Sequence, residues 1–163
     1  MQQVVLDNNI ELYERFTNSD LNDLIKNGSV PCVSVYLPME KAGKEVRQNS
    51  IRFKNGLEQA RSMIEQMAGD LADETLGLKN AMDLYDETLF WNSQDEGLSL
   101  FLSPEIKRIY RLPLKFEESV LAADRFNVKP VLPLIAYDVD FFILALSQNQ
   151  CRLYHCSRHQ WRE

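Results

Sequence analysis

The residues best suited to hold a ligand lie between Lys41 and Arg61. Lys41, Lys44, Arg47, Arg52, Lys54 and Arg61 stand there against Glu45 and Glu58. Most of the stretch belongs to a loop entering a helix. The orphan N–H groups and dipole of a helix start favour anions, and Arg and Lys add contacts to phosphate oxygens. Lys41, Lys44, Arg47, Asn49, Arg52 and Lys54 are therefore the candidate nucleic-acid-binding residues. The same charges would also suit the solvated side of a helix, and both readings stay open.

Other chemistry finds less footing. Cys151, His155, Cys156 and His159 superficially suggest a zinc site. On a strand, however, alternate residues share a face, so Cys151 and His155 lie together while Cys156 points away. Structural cysteines and incidental histidines are the simpler account. Asp138 and Asp140 would share a face before a strand, as a metal-binding pair or as ordinary polar residues at a strand entrance. Asp70, Asp73 and Glu74 suit the first turns of a helix, where the dipole favours acids. Neither Gly-x-Ser-x-Gly nor a phosphate-cradling Gly-x-x-x-x-Gly-Lys-Ser/Thr occurs. Both histidines follow Tyr154, which excludes a histidine-dependent site in residues 1–150. The expectation is a chain without catalysis, metal or cofactor.

The elements that must position these residues follow from periodicity. Leu21, Leu24 and Ile25 form one face of a short helix over Asp20–Lys26, capped by Asn18 or Ser19 and stopped by Gly28. Cys32–Leu37 reads as a buried strand between Pro31 and Pro38. A polar loop with Gly43 runs from Met39 to about Arg47. Phe53, Leu57, Ala60, Ile64 and Met67 then mark a helix face. Gly69 and Asp70 break it, and Leu71, Leu78, Met82, Tyr85 and Leu89 repeat the pattern, predicting a helical hairpin. Gly56 and Gly77 inside these helices mark candidate close packing. From Gly97 the period becomes that of strands. Leu98–Leu102 and Ile106–Leu112 form a hairpin across Ser103-Pro-Glu105, and Val120–Ala123 is a further strand. Lys129–Ile135, with two prolines, suits a short helix or extended connector. A last hairpin, Phe141–Leu146 with Cys151–Cys156, has nothing to cover it, and a lone hairpin is marginal in water. A second domain is therefore expected to begin near Asp138.

Composition fits this picture. The 163 residues are 45% hydrophobic and 26% charged, with a net charge of −6, as in a globular protein. An acidic excess argues against a wholly nucleic-acid-binding surface but allows a basic patch. Three cysteines make no disulfide framework. No signal peptide and no membrane-length apolar run is visible, so the expected compartment is the cytosol.

An ordered series of short motifs then carries a resemblance. Pro31-Cys-Val-Ser-Val-Tyr-Leu-Pro38, Ala42-Gly43, Ile51-Arg-Phe-Lys-Asn55, Phe90-Trp91, Gly97-Leu-Ser-Leu-Phe-Leu102 and Tyr110-Arg-Leu-Pro113 come first. Asp124-Arg-Phe126, Lys129-Pro130, Pro133-Leu134 and Phe142-Ile-Leu-Ala-Leu-Ser-Gln148 continue it. The chain resembles bacterial relatives of the archaeo-eukaryotic peptide-chain release factors and related ribosome-rescue proteins. The resemblance implies a three-domain protein: an N-terminal α/β domain over residues 1–136, here a small mixed sheet flanked by helices, then an RNase H-like second domain that opens at 137–163. It implies a ribosome or RNA partner; a protein-interaction or small-ligand module that has lost the translation role is the alternative. The family's Asn-Ile-Lys-Ser loop is absent, the nearest stretch being Asn49-Ser-Ile-Arg-Phe-Lys54, and the chain ends before a Gly-Gly-Gln loop would appear.

Overall fold

A computed structural model describes residues 4–5, 10–68, 76–136, 141–147, 149–156 and 161–162. The chain divides into two compact units, Met1–Pro130 and Val131–Glu163.

The larger unit is built on a mixed sheet of six strands: β1 (Val4–Val5), β2 (Glu11–Tyr13), β3 (Cys32–Pro38), β4 (Gly97–Leu102), β5 (Lys107–Leu112) and β6 (Ser119–Ala123), in the order β1-β2-β5-β4-β3-β6. The β2–β5 pair is parallel and the other neighbours are antiparallel. The β4–β5 hairpin forms across the expected turn. Ser103 N–H donates to the Ile106 carbonyl at 2.7 Å, and Ile106 N–H donates to Ser103 Oγ at 3.0 Å.

Every residue of β3 from Cys32 to Leu37 is buried, because both sheet faces are covered. On one face the register aligns Val33, Val35 and Leu37 with Leu102, Leu100 and Leu98. These residues share a core with Phe53, Leu57, Ala60 and Ile64 of helix α2 (Arg47–Ala68). At about 25 cal/mol per Å², burying such an apolar stripe is the main force holding the helix on the sheet. The opposite face is aromatic. Tyr36 meets Phe101 and Phe116 edge-on, with ring centroids 5.8 and 5.1 Å apart, and Phe101 meets Tyr110 and Phe126 in the same way. Offset and edge-on geometry is what aromatic quadrupoles prefer.

Several local expectations need correction. Helix α1 spans Asn18–Asn27 and is capped by Thr17, not by Asn18 or Ser19. Thr17 Oγ1 accepts from Asp20 N–H while Asp20 Oδ2 accepts from Thr17 N–H, a reciprocal capping box. Ile25, assigned to the apolar face, is exposed, and so is Met67 of α2. The second arm of the helical hairpin is not one helix. Among the described residues it runs from a helical Leu76 through α3 (Leu78–Asp83) and a 3-10 turn (Leu84–Asp86) to α4 (Thr88–Asn92). Gly77 does not lie inside a helix but precedes α3 with φ +71°, a left-handed conformation. Leu78 and Leu84 join the core, whereas Leu89 is 82% exposed. The break at Glu87 rotates the chain, so a helical period carried through it points Leu89 outward. Leu71, Gly69 and Asp70 lie outside the described residues.

The smaller unit contains α5 (Leu132–Ala136) and a three-stranded sheet ordered β7 (Phe141–Leu146), β8 (Cys151–Cys156) and β9 (Trp161–Arg162), each pair antiparallel. Its hairpin turn is closed by Ser147 N–H on the Gln150 carbonyl at 2.8 Å and by Gln150 N–H on Ser147 Oγ at 3.1 Å. Phe142, Leu144, Leu146 and Leu153 are exposed. A 3-10 turn over Lys129–Val131 leads into α5, so of the two alternatives for this proline-containing stretch, short helix or extended connector, the short helix is the one found.

Candidate nucleic-acid interface

The loop between β3 and α2 is held firmly at its root. Met39 N–H donates to the Glu96 carbonyl at 3.0 Å, extending the β3–β4 ladder by one rung. Asn49, in the first turn of α2, is fully buried. Its Oδ1 accepts from the Glu40 N–H at 3.0 Å and its Nδ2 donates to the Glu40 carbonyl at 2.9 Å. Lys41 Nζ lies 2.5 Å from Asp95 Oδ1 and 3.6 Å from Glu96 Oε1. The hydrogen bond to Asp95 holds the Lys41 ammonium above its ordinary pKa.

Beyond this root the chain is exposed from Ala42 to Glu45. Gly43 adopts φ +96° and ψ −173°, a region in which only glycine is comfortable. A Cβ placed there would meet nothing within 4 Å, so the tip projects from its anchor. A 3-10 turn over Lys44–Val46 feeds into α2, and no side chain caps its start.

The sequence candidates separate into distinct environments. Lys44 and Arg47 are exposed and make no side-chain hydrogen bond or ion pair among the described residues. Lys41 is engaged by Asp95 and Glu96. Arg52 turns back toward β3, with Nη1 3.3 Å from the Pro38 carbonyl, Nη2 3.4 Å from Gln48 Oε1, and Glu40 Oε1 at 4.0 Å. Lys54 lies 4.0 Å from Glu58 Oε1 and 5.2 Å from the centroid of the Tyr85 ring. Asn49 spends both polar atoms on Glu40 and is closed to any outside ligand. Arg47, Lys54 and Arg61 recur every seven residues and so lie roughly along one line of α2, whereas Arg52 is displaced from Arg47 by about 140°. Arg52 does not share the line of Arg47 and Lys54, and of the candidates beside the tip Lys41 is paired while Lys44 and Arg47 are not, among the described residues.

A second polar cluster escaped the sequence reading. Arg108 on β5 reaches Glu11 Oε2 at 3.2 Å, Asp23 Oδ2 at 3.3 Å and Asp20 Oδ1 at 3.8 Å. Its guanidinium sits 5.5 Å from the centroid of the Tyr13 ring, which stacks on Tyr110 at 5.0 Å. Burial, followed by the hydrogen bond to Glu11, pushes the Tyr13 phenol up to about 12. Tyr110 donates to Asp20 Oδ1 at 3.2 Å, and burial raises its phenol also. Asp20 thus closes the α1 cap with one oxygen and faces Arg108 with the other. No local pattern could reveal this cluster: the parallel β2–β5 pairing brings Glu11 beside Arg108.

In the smaller unit Cys151 and His155 share a strand face and Cys156 lies on the other. The His155 ring stacks on Phe142 at 4.8 Å. Among the described residues, no group of three or more His, Cys, Asp and Glu side chains could hold a metal ion. His159, Asp138, Asp140, Asp70, Asp73 and Glu74 lie outside those residues. No described helix is long and apolar enough to cross a membrane. No family model matches this chain, and no curated protein matches it.

Proposed function

We propose that this chain is the RNA-facing N-terminal part of a cytoplasmic protein related to the peptide-chain release factors, serving translation termination or ribosome rescue. The observation that carries the reading is the anchored tip that presents Lys44 and Arg47 unpaired. Loops held on a rigid scaffold are where binding residues concentrate. Unpaired cations beside an uncapped helical start suit phosphate oxygens. The motif series from Pro31 to Gln148 supports the release-factor part of the reading. No step of catalysis by this chain is required.

The test is binding of a single-stranded RNA and of ribosomes across a salt series. Two phosphate contacts give a slope of log K against log salt of about −1.4, or roughly a sevenfold loss between 50 and 200 mM salt. Contacts from all five cations proposed from sequence would give about −3.5 and roughly a 130-fold loss. Lys44→Glu with Arg47→Glu should abolish binding, while Lys54→Glu should change it little. Absent or salt-insensitive binding by the native chain rules the reading out.

A second reading, a protein-interaction module, is favoured by one observation. Lys41, Arg52 and Lys54 each face a carboxylate, and the whole chain is acidic. A stoichiometric protein partner recovered from nuclease-treated lysate, together with failure to bind RNA, would select it.

A further inference from the structure

The structure assigns Asn49 a positioning role: we infer that its buried carboxamide fixes the tip before a ligand arrives, so that RNA meets Lys44 and Arg47 already in place. This inference rests on the RNA-facing reading above. A primary carboxamide offers one acceptor and one donor in a single plane. Asn49 uses them on the N–H and C=O of one residue, Glu40, at 3.0 and 2.9 Å. The side chain thereby acts as one more rung of backbone pairing. It ties the first turn of α2 to the chain leaving β3 at the point where the ladder ends.

The chemistry is selective. A carboxylate could accept from the Glu40 N–H but would repel its carbonyl, and an alkyl group could do neither. The residue also links the two ends of the tip, because Glu40 precedes it and Asn49 follows it by a short helical stretch. Arg52 adds a looser tie across the same tip, its Nη1 3.3 Å from the Pro38 carbonyl and 4.0 Å from Glu40 Oε1, but among the described side chains only Asn49 engages both backbone groups of Glu40. Lys41 pairs away from it, with Asp95. A flexible loop must be ordered when it binds, and a loop ordered beforehand avoids that loss.

The test compares the full native chain with Asn49→Ala and Asn49→Ser, neither of which can satisfy both Glu40 groups. Amide exchange followed by NMR reports the lock directly. In both variants the Glu40 amide should exchange about tenfold faster or more, while the Leu57 and Ala60 amides in α2 keep their protection. Affinity for a single-stranded RNA should fall about tenfold, with the salt slope unchanged because the phosphate contacts remain. A residue that merely supported the fold would lower the melting temperature and leave affinity alone. Native affinity in a folded variant whose Glu40 amide has been freed overturns the inference and leaves the RNA reading intact. Failure of the native chain to bind RNA overturns both. Loss of α2 protection in Asn49→Ala transfers the decision to Asn49→Ser, and loss in both variants overturns the positioning role in favour of a structural one.

Discussion

Replacing Gly97 by alanine is expected to meet the severest crowding of any glycine-to-alanine change among the described residues of the larger unit. Gly97 opens β4, between Pro38 of β3 and Leu112 of β5. A Cβ there would lie 2.2 Å from the Leu114 carbonyl oxygen and 2.5 and 2.8 Å from Phe116 Cδ2 and Cε2. An ordinary C···O contact is about 3.3 Å or longer, so the chain leaving β5 must retreat by roughly 1 Å. Phe116 cannot simply swing away, since it is buried and packed edge-on against Tyr36. Overpacking of this kind costs about 3 kcal/mol. At about 3 °C per kcal/mol for a protein of this size, the melting temperature should fall by roughly 9 °C. Calorimetry and urea titration measure both, and the urea m-value should stay unchanged. Gly56→Ala is the control. Its Cβ would meet Val35 Cγ1 at 3.3 Å, and a helix propensity gain of about 1 kcal/mol offsets that crowding. A Gly97→Ala protein melting within 2 °C of the native chain, on this scale about 0.7 kcal/mol, would refute the steric reasoning.

Two further outcomes follow from the polar cluster on β2, β5 and α1. Arg108→Met should destabilise the larger unit by about 3 kcal/mol in urea titration, because Glu11, Asp20 and Asp23 then face one another without the cation; a change below about 1 kcal/mol would show the cluster to be solvent-screened. Tyr13 titrates near 12 in the folded chain against an ordinary value near 10. Its contribution is therefore fully present below pH 10 and is lost as pH rises toward 12. Tyr13→Phe should make the stability decline across that interval shallower, although Tyr36 and Tyr110, also raised by burial, will preserve part of it. Phenolate absorbance against pH, with and without Tyr13, checks the assignment.

The candidate site was legible in part. The loop, its glycine and the helix that follows it could be read because each is a local pattern: a proline-bounded strand, a polar stretch, then a stripe of apolar residues. Residue type alone could not say which cations stay free. Lys41 meets Asp95 and Glu96 because β4 pairs with β3, and Arg52 turns back to Pro38 because the loop folds against its own helix. Asn49 looked like a ligand-facing polar residue, but it closes a hydrogen-bonded ring around Glu40, a role visible only once both chain segments are in place.

By itself the sequence determined where β3, the core face of α2 and the β4–β5 hairpin lie, because periodicity and turn chemistry act between residues a few positions apart. It also determined the acidic balance and confined histidine chemistry to the C-terminal residues. Tertiary structure alone decided the β2–β5 parallel pairing, the aromatic layer on the second sheet face, the interruption of the second helical arm and the partition of cations into paired and free. Those outcomes depend on groups distant along the chain competing for the same space and the same charge, and no local pattern contains that competition.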